Sequence, residues 1–426
     1  MADLTTLSAR EAAARIAAGT LTAEALTRAC LDRIAEREGA IGAWEFLDPD
    51  RAIAEAKQRD RATTRGPLQG VPVGVKDLMD THDMPTAYGS PIYRGHRPAA
   101  DAACVTLARS AGTVVIGKTV TTEFATFHPG KTANPHNPAH TPGGSSSGSA
   151  AAVADRMVPI AFGTQTAGSV IRPASYCGVV GYKPSFGTIT RAGVKPLSDS
   201  LDTVGVIARS VADAAFFAAV LSDRPTLTVE GDLPLPRIAF YRTPEWRHAE
   251  ASTIAALEHA AARLGRVGAA PTEIAVPPEH EGLAEAQKII MDYESARSLA
   301  FEYATRPQDL SANLRERIAV GRTHKAETYD AARRVVGKAR EGLRAFFGEA
   351  DALLVPAAPG EAPKGLERTG DPIFNRSWTM LHLPCVTVPA WRGAAELPVG
   401  VQIVGREGED ALTLRVAAFV EHALQE

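Results

Sequence analysis

The chain has 426 residues, of which 45 % are apolar and 22 % are charged. This composition is that of an ordinary globular protein, so it excludes intrinsic disorder, collagen and long coiled coils. The formal net charge is only −3, which provides no electrostatic reason to bind nucleic acid or an acidic membrane surface. We therefore expect neither partner.

The N-terminal segment, residues 1–65, is predicted to be helical. Ser8 and Glu11 form the pattern of a capping box, and apolar residues between Leu26 and Ile34 recur at helical spacing. From 66 to 220 short β-branched runs alternate with helix-compatible stretches, which predicts βαβ units and a mostly parallel sheet. The predicted strands are Val71–Val75, Thr113–Ile116, Val158–Phe162 and Val204–Ala208.

Residues 240–350 return to a helical pattern, with apolar positions spaced for one buried face. Residues 351–426 are predicted to add strands and a closing helix. We interpret the chain, residues 1–426, as one domain in which strands from both halves form a sheet around a helical insertion. The elements predicted at the C-terminal end are strands Ala352–Pro356, Cys385–Pro389 and Val399–Val404 and helix Leu412–Leu424.

The cysteines and the hydropathy pattern bear on location and metal binding. The four cysteines are irregularly spaced and match neither a disulfide framework nor a CxxC metal pattern. No secretory signal is recognisable, and no run of about 18 apolar residues occurs. The sequence therefore predicts a cytoplasmic protein with reduced thiols. The cysteines are Cys30, Cys104, Cys177 and Cys385.

A Gly/Ser-rich segment, GGSSSGSA, runs from Gly143 to Ala150. Such a run is usually a flexible linker. Here Pro142 precedes it and AAAVA follows, which indicates the start of a helix. A glycine-rich turn that leads into a helix gathers backbone N–H groups and hydroxyls, an arrangement suited to catalysis or anion binding.

A second segment, GTQTAGSVIRPASYCGVVGYKPS, spans Gly163 to Ser185 after an apolar strand. The small residues from Thr166 to Ser169 allow a sharp turn with exposed amides. Such amides stabilise an oxyanion that develops on a substrate carbonyl. Ser169 lies beside them as a candidate nucleophile, and the alternative is an ordinary turn serine.

A serine nucleophile needs a base that takes its proton. None of the eleven histidines lies in a recognisable triad motif, and Pro138 prevents His136 and His140 from sharing one face of a helix as metal ligands. Lys76, in the apolar run LQGVPVGVKDLMD, is the remaining candidate base. Burial would lower its pKa, whereas at an exposed strand end its amine would stay charged.

One further motif is interpreted as accidental. Residues Gly112–Thr119, GTVVIGKT, match the phosphate-loop pattern G-x-x-x-x-G-K-[ST]. That loop must be flexible, but Thr113 to Ile116 favour a strand. A nucleotide-binding module is the function that this match would support.

Three motifs follow one another in order: GVPVGVKD with Lys76, PGGSSSGSAAAVA with Ser145 and GTQTAGSVIRPA with Ser169. Together they resemble the amidase signature family, from about Leu68 to Gly205 and again near the C-terminus. The resemblance implies an α/β fold, an α/β/α sandwich with a central twisted sheet of about eleven strands that is mixed and mostly parallel.

On this resemblance, Ser169 is the nucleophile, Lys76 the terminal base and Ser145 the bridging serine. Gly144 precedes Ser145, and the peptide bond between them is expected to be cis. Ser145 is also expected to contact the substrate. The implied reaction is hydrolysis of an amide C–N bond through an acyl-enzyme, with no metal and no organic cofactor. The amides of the implied oxyanion hole are those of Thr166, Ala167, Gly168 and Ser169.

The loop departs from the common family pattern, D-[TI]-G-G-S-[IV]-R. Gln165 replaces the acid, and Ala167 replaces a glycine. The arginine, Arg172, follows Ser169 by three places rather than two, and a shift by one position sends a side chain to another face of the backbone. We expect Gln165 and Arg172 to bind the substrate.

This version of the loop, with the stretches IYRG, NPHN and TGDPIFNRSWT, is similar to the malonamidases of the family. Their arginine engages a substrate carboxylate. The resemblance therefore implies a small amide that carries a carboxylate, such as malonamate or a ureido acid, with Arg172 as a fork-shaped clamp. The alternative is that Arg172 pairs with a structural carboxylate such as Asp199 or Asp202.

A second function is compatible with the same motifs. Glutamine-dependent amidotransferase subunits of the A type share the fold and the triad, and they supply ammonia to partner chains. The shifted Arg172 and the malonamidase-like stretches favour a hydrolase of small molecules instead. The family resemblance also favours a homodimer.

Overall fold

The computed structural model describes residues 3–231 and 235–425. The strands in this part of the chain form a single sheet. They are β1 (Trp44–Leu47), β2 (Pro72–Lys76), β3 (Val114–Thr119), β4 (Ile160–Gln165), β5 (Val180–Lys183), β6 (Thr203–Ala208), β7 (Ile238–Tyr241), β8 (Thr272–Ile274), β9 (Ala352–Pro356), β10 (Cys385–Arg392) and β11 (Pro398–Val404). The sheet has eleven strands in the order β1-β3-β2-β4-β6-β5-β10-β11-β9-β7-β8.

Helices connect these strands. Ser8 caps the first helix as predicted, because its hydroxyl accepts a hydrogen bond from the amide of Glu11 at 3.0 Å. No helix of the described segments combines the length and the apolar character needed to cross a bilayer. The helices are α1 (Ala9–Ala17), α2 (Ala23–Ile41), α3 (Pro49–Arg61), α4 (Ala103–Ser110), α5 (Ser147–Ala154), α6 (Ile171–Cys177), α7 (Val211–Ser222), α8 (Ala251–Arg266), α9 (Leu283–Ser298), α10 (Ala300–Thr305), α11 (Ala312–Thr323), α12 (Ala326–Phe347), α13 (Arg376–Met380) and α14 (Asp410–Gln425).

The sheet is covered on both faces, as the residues of β9 show. Ala352 and Leu354 belong to one apolar cluster, which includes Leu257 of α8. Leu353, which points to the opposite face, belongs to a second cluster with Val336 of α12. The expected α/β sandwich with one mixed eleven-stranded sheet is thus confirmed.

The expectation that this sheet is mostly parallel is wrong. Only the pairs β2–β3, β2–β4, β7–β8 and β7–β9 are parallel. The other six are antiparallel and include the whole centre of the sheet from β4 to β9. Part of the reason is local: residues 393–397 join β10 to β11, and so short a link can only return the chain antiparallel.

The helical predictions also need correction at short strands. β1 lies inside the N-terminal stretch predicted as helical, and β8 lies inside 240–350. β5 and β7 were not predicted at all. Each of these strands has three or four residues, too few to establish an alternating pattern, and pairing with neighbours stabilises them.

Candidate active site

Lys76 is the last residue of β2, and its side chain is fully buried. Its Nζ lies 2.7 Å from the hydroxyls of Ser145 and Thr164 and 3.1 Å from that of Ser146. Burial holds the pKa of Lys76 well below its usual range, and the more distant charge of Asp202 opposes that shift. A buried amine with hydroxyl partners favours the neutral form that a general base requires.

The Gly/Ser-rich segment is packed structure and not a linker. All residues from Gly143 to Ala150 are buried, and α5 begins at Ser147. The peptide bond between Gly144 and Ser145 is cis. A Cβ at Gly144 would lie 2.8 Å from Cγ2 of Thr369, so the close approach of Thr369 requires glycine. This turn places the Ser145 hydroxyl against Lys76.

Ser169 lies on the loop between β4 and α6, beside the turn that holds Ser145. The amide of Ser146 donates to the carbonyl of Ser169 at 3.3 Å, which fixes the two segments side by side. Ser169 lines a cavity of about 20 Å³. Its hydroxyl makes no hydrogen bond to any residue that the structure describes, and catalytic hydrogen bonds often form only when substrate is bound.

The proposed oxyanion donors lie on the same loop. Within 3–231 and 235–425, no residue accepts a hydrogen bond from the amides of Ala167, Gly168 or Ser169. The side chain of Thr166 donates to Asp202 at 2.5 Å. Three neighbouring amides beside a serine hydroxyl can together stabilise negative charge on a carbonyl oxygen.

Gln165 was predicted to bind substrate, and the structure places its polar atoms in hydrogen bonds within the protein. Its Oε1 accepts hydrogen bonds from the amides of Val170 and Ile171 at 2.9 and 3.1 Å, and its Nε2 donates to Thr379 at 2.9 Å. The side chain is fully buried and does not line the cavity beside Ser169. Since its polar atoms are hydrogen-bonded within the protein, Gln165 stabilises the loop that carries Ser169.

Arg172 lines the same cavity as Ser169, and its side chain is buried. Its Nη2 donates to the carbonyl of Gly144 at 2.7 Å and to Thr369 at 3.2 Å, while Nε and Nη1 are buried without a partner. Burial lowers the pKa of Arg172, and the charges of Tyr176 and Asp371 oppose that shift. A buried guanidinium with unused donors favours binding of an anion.

The alternative role for Arg172, pairing with a structural carboxylate, is wrong for the two acids considered. Asp202 accepts instead from Thr166 and from the amides of Leu197 and Ser198. Asp199 makes no described contact to Arg172. Within the described part of the chain the guanidinium therefore makes no ion pair with a carboxylate, although the charge of Asp371 acts on it from farther away.

The phosphate-loop match at residues 112–119 coincides with a strand, as its β-branched residues predicted. Val114–Thr119 of this segment form β3, and Lys118 is fully buried. Its Nζ lies 3.1 Å from a carboxylate oxygen of Asp77 and donates to the carbonyl of Met79 and the hydroxyl of Thr86. Most of the segment is therefore strand, and its lysine is paired inside the protein.

The sequence did not single out three residues that hold the loop between β4 and α6, here called the nucleophile loop because it carries the proposed nucleophile Ser169. Gln287 of α9, Thr379 of α13 and Arg376 of α13 are buried and hydrogen-bonded in this region. They lie far along the chain from Ser169, and no local motif marks Gln287. The signal for the other two was the stretch TGDPIFNRSWT, which contains both Arg376 and Thr379.

Comparison with known proteins identifies the family. Residues 25–414 match the family model described as Amidase. The chain belongs to the amidase signature family. Members of this family hydrolyse amides, and this protein is accordingly an enzyme that acts on amide C–N bonds.

Curated relatives and solved structures resemble the chain over almost its full length. It is 36 % identical to the A-type subunit of glutamyl-tRNA(Gln) amidotransferase from Anaeromyxobacter dehalogenans (strain 2CP-C), with 99 % of this chain and 97 % of the relative covered. The corresponding protein of Lysinibacillus sphaericus (strain C3-41) is 32 % identical, with 98 % and 96 % covered. A crystal structure of an amidase superposes with a TM-score of 0.89 at 29 % identity over 98 % and 99 % of the two chains. The native peptide amidase of Stenotrophomonas maltophilia superposes with a TM-score of 0.81 at 30 % identity, with 99 % of this chain and 97 % of that chain covered.

Proposed function

We propose that this enzyme hydrolyses a small amide that carries a carboxylate, such as malonamate or a ureido acid. The supporting observation is the buried guanidinium of Arg172, which keeps Nε and Nη1 unpaired and lines the same cavity as Ser169. A substrate carboxylate would supply the missing anion through charge-assisted hydrogen bonds. The amide carbonyl of the same molecule would then lie near the Ser169 hydroxyl.

The proposed reaction uses Lys76, Ser145 and Ser169 as a proton relay. Neutral Lys76 accepts the proton of Ser145, and Ser145 accepts the proton of Ser169 as its oxygen attacks the amide carbon. Amides of residues 166–169 stabilise the oxyanion. The C–N bond breaks when the leaving nitrogen receives a proton through the relay. Water then attacks the acyl-enzyme, which releases a carboxylic acid and restores Ser169.

The contact between Lys76 and Ser145 at 2.7 Å supports the first step of this relay. Lys76 has three hydroxyls around its amine, and a neutral amine has two N–H bonds and one lone pair. One hydroxyl can therefore donate to the nitrogen while the other two accept from it. That arrangement suits an amine that alternates between the neutral and the protonated form.

The first test measures ammonia release from malonamate by the purified enzyme. Ser169→Ala removes the attacking oxygen, and we expect release to fall to background. Ser147→Ala, in which the lost hydroxyl contacts only the carbonyl of Val120, is the matched control and should stay active. Ammonia release by Ser169→Ala at the wild-type rate would contradict the nucleophile.

The second test addresses the carboxylate. Arg172→Met removes the guanidinium, and we expect KM for malonamate to rise by about 10- to 100-fold, the loss of a charge-assisted contact of roughly 1.5–3 kcal/mol. Hydrolysis of acetamide, which has no carboxylate, should change by less than about threefold. Equal losses on both amides would show that Arg172 does not recognise the carboxylate.

A second candidate function is that of a glutamine-dependent amidotransferase component. The observation that favours it is the 36 % identity to the A-type subunit of an amidotransferase over 99 % of this chain. Glutamine is also an amide with a carboxylate, so Arg172 is compatible with both candidates. In the first candidate the enzyme acts as a homodimer on a free small molecule, whereas the second requires partner chains.

Glutamine and malonamate distinguish the two candidates. The proposed hydrolase should release ammonia from malonamate as a purified single chain, with glutamine a poorer substrate. Glutamine hydrolysis that appears only after addition of partner subunits, without malonamate hydrolysis, would establish the amidotransferase role instead.

A further inference from the structure

The orientation of the nucleophile loop depends on residues outside the three signature motifs. Three consecutive carbonyls of the loop, those of Thr166, Ala167 and Gly168, each accept a hydrogen bond. In a trans peptide the C=O and the following N–H point in opposite directions. A donor bound to each carbonyl therefore determines where the next amide points.

The donor to the first carbonyl is Gln287 of α9. Its Nε2 donates to the carbonyl of Thr166 at 3.1 Å, so the amide of Ala167 points away from α9. The side-chain amide of Gln287 is itself fixed, because Nη1 of Arg376 donates to its Oε1 at 2.6 Å. A guanidinium only donates, so Oε1 must face Arg376 and the NH₂ group must face Thr166.

The donor to the second carbonyl is Thr379 of α13. Its hydroxyl donates to the carbonyl of Ala167 at 2.7 Å, closer than the carbonyl of Asn375 at 3.1 Å. Gln165 donates to the same hydroxyl oxygen at 2.9 Å. Since Oε1 of Gln165 is used by two loop amides, this side chain can only donate to Thr379. The Thr379 proton is then available for Ala167.

The third carbonyl needs no side chain. The amide of Arg172, near the start of α6, donates to the carbonyl of Gly168 at 2.9 Å. The loop also has no room to move toward α13, because a Cβ on Gly168 would lie 2.3 Å from Oδ1 of Asn375. The loop is thus held from one side by α9 and α13.

We propose that Gln287 and Thr379 are positioning residues that orient the amides of Ala167 and Gly168 as oxyanion donors, and that Arg376 fixes the orientation of Gln287. This inference rests on the proposed acyl-enzyme mechanism at Ser169. It assigns a role in catalysis to two helices that contribute no reacting group. Without these hydrogen bonds, the two peptide planes can rotate and their amides can leave the oxygen that they stabilise.

Thr379→Val and Gln287→Glu test this role. Valine keeps the shape of threonine and removes the hydroxyl. Glutamate keeps the acceptor for Arg376 but cannot donate to Thr166. For malonamate we expect kcat to fall by about 10- to 100-fold, while KM changes by less than about threefold. This loss is smaller than the one caused by removing an oxyanion donor completely. Thr379→Ser, which retains the hydroxyl, should recover most of kcat.

Thr387→Val is the matched control. Thr387 is a buried threonine of β10 whose hydroxyl donates to the carbonyl of Val401 at 3.2 Å, remote from the cavity that Ser169 lines. This variant loses one buried side-chain-to-backbone hydrogen bond, whereas Thr379→Val loses in addition the hydrogen bond that Gln165 donates to the hydroxyl. In Thr387→Val kcat should stay at the wild-type level. Thermal unfolding of every variant shows whether a loss of activity reflects a loss of folded protein. If Thr379→Val does not fold, Gln287→Glu still provides the test, because it retains the contact with Arg376, now as an ion pair.

A second measurement separates this inference from the substrate proposal. Phenylmethylsulfonyl fluoride sulfonylates a reactive serine without requiring the correct amide, and mass spectrometry follows its rate. We expect the rate to fall in Thr379→Val and Gln287→Glu by about the factor seen for kcat. Wild-type labelling rates in both variants, or a loss confined to KM, would overturn the inference. Labelling of Ser169→Ala at the wild-type rate would instead overturn the nucleophile assignment.

Discussion

Two neighbouring parallel strands each carry a fully buried lysine, and the two lysines have opposite surroundings. Lys76 on β2 contacts hydroxyls only. Lys118 on β3 forms an ion pair with Asp77 at 3.1 Å. Burial lowers the pKa of both lysines, but next to Lys118 the charge of Asp77 is close and opposes the shift. Burial is therefore common to both lysines, and the ion pair with Asp77 is what distinguishes Lys118 from Lys76.

The largest effect should come from replacing each lysine by methionine. Lys76→Met removes the base, and we expect kcat/KM for malonamate to fall by about 10³-fold or more with no loss of thermal stability. Lys118→Met leaves the Asp77 carboxylate buried without its counter-ion, which should cost about 3–5 kcal/mol in the free energy of unfolding. The folded fraction of Lys118→Met should retain kcat. Loss of kcat in that folded fraction would remove the distinction between the two lysines.

The pH dependence of activity sharpens the same comparison. Lys76 must be neutral to accept a proton, so kcat/KM should decline as the pH falls through its lowered pKa. The folded fraction of Lys118→Met should show the same profile as the wild type. A profile that is flat between about pH 5 and 9 would contradict a lysine base.

Unfolding measurements give an independent reading of the Lys76 pKa. In the unfolded chain Lys76 has its usual pKa of 10.5, above that of the folded protein. Between these two values the unfolded state binds more protons, so the free energy of unfolding contributed by Lys76 rises with pH. Lys76→Met should lack this part of the rise. Identical pH dependence in both proteins would mean that folding does not lower the pKa of Lys76.

The smallest effect concerns nucleotides. Because Lys118 is occupied inside the protein and residues 112–119 include strand β3, ATP should produce no binding heat in calorimetry up to millimolar concentrations. Saturable binding that Lys118→Met abolishes would show that this segment recognises phosphate after all.

The parts of the fold that could be predicted are those with long, repeated patterns. The β-branched runs at β2, β3, β4 and β6 were long enough to recognise, and so was the closing helix α14. Short strands such as β1 and β8 were missed, because three or four residues are too few to show an alternation of apolar and polar side chains. Strand direction in the middle of the sheet depends on which strands become neighbours, and that is a long-range property.

The amino-acid sequence by itself indicated the family and the candidate catalytic residues of this protein. Four candidate residues could be recognised because each lies in a short segment of distinctive composition. They are a lysine at the end of an apolar run, two serines in glycine-rich turns and an arginine beyond the second turn. The tertiary structure decided what surrounds them. It showed that Gln165 supports the loop, that Arg172 has no carboxylate partner among the described residues, and that Gln287 and Thr379 hold the loop from α9 and α13. The contacts of Gln287 and Thr379 with the loop join residues more than a hundred positions apart, and only folding brings such side chains within hydrogen-bond distance.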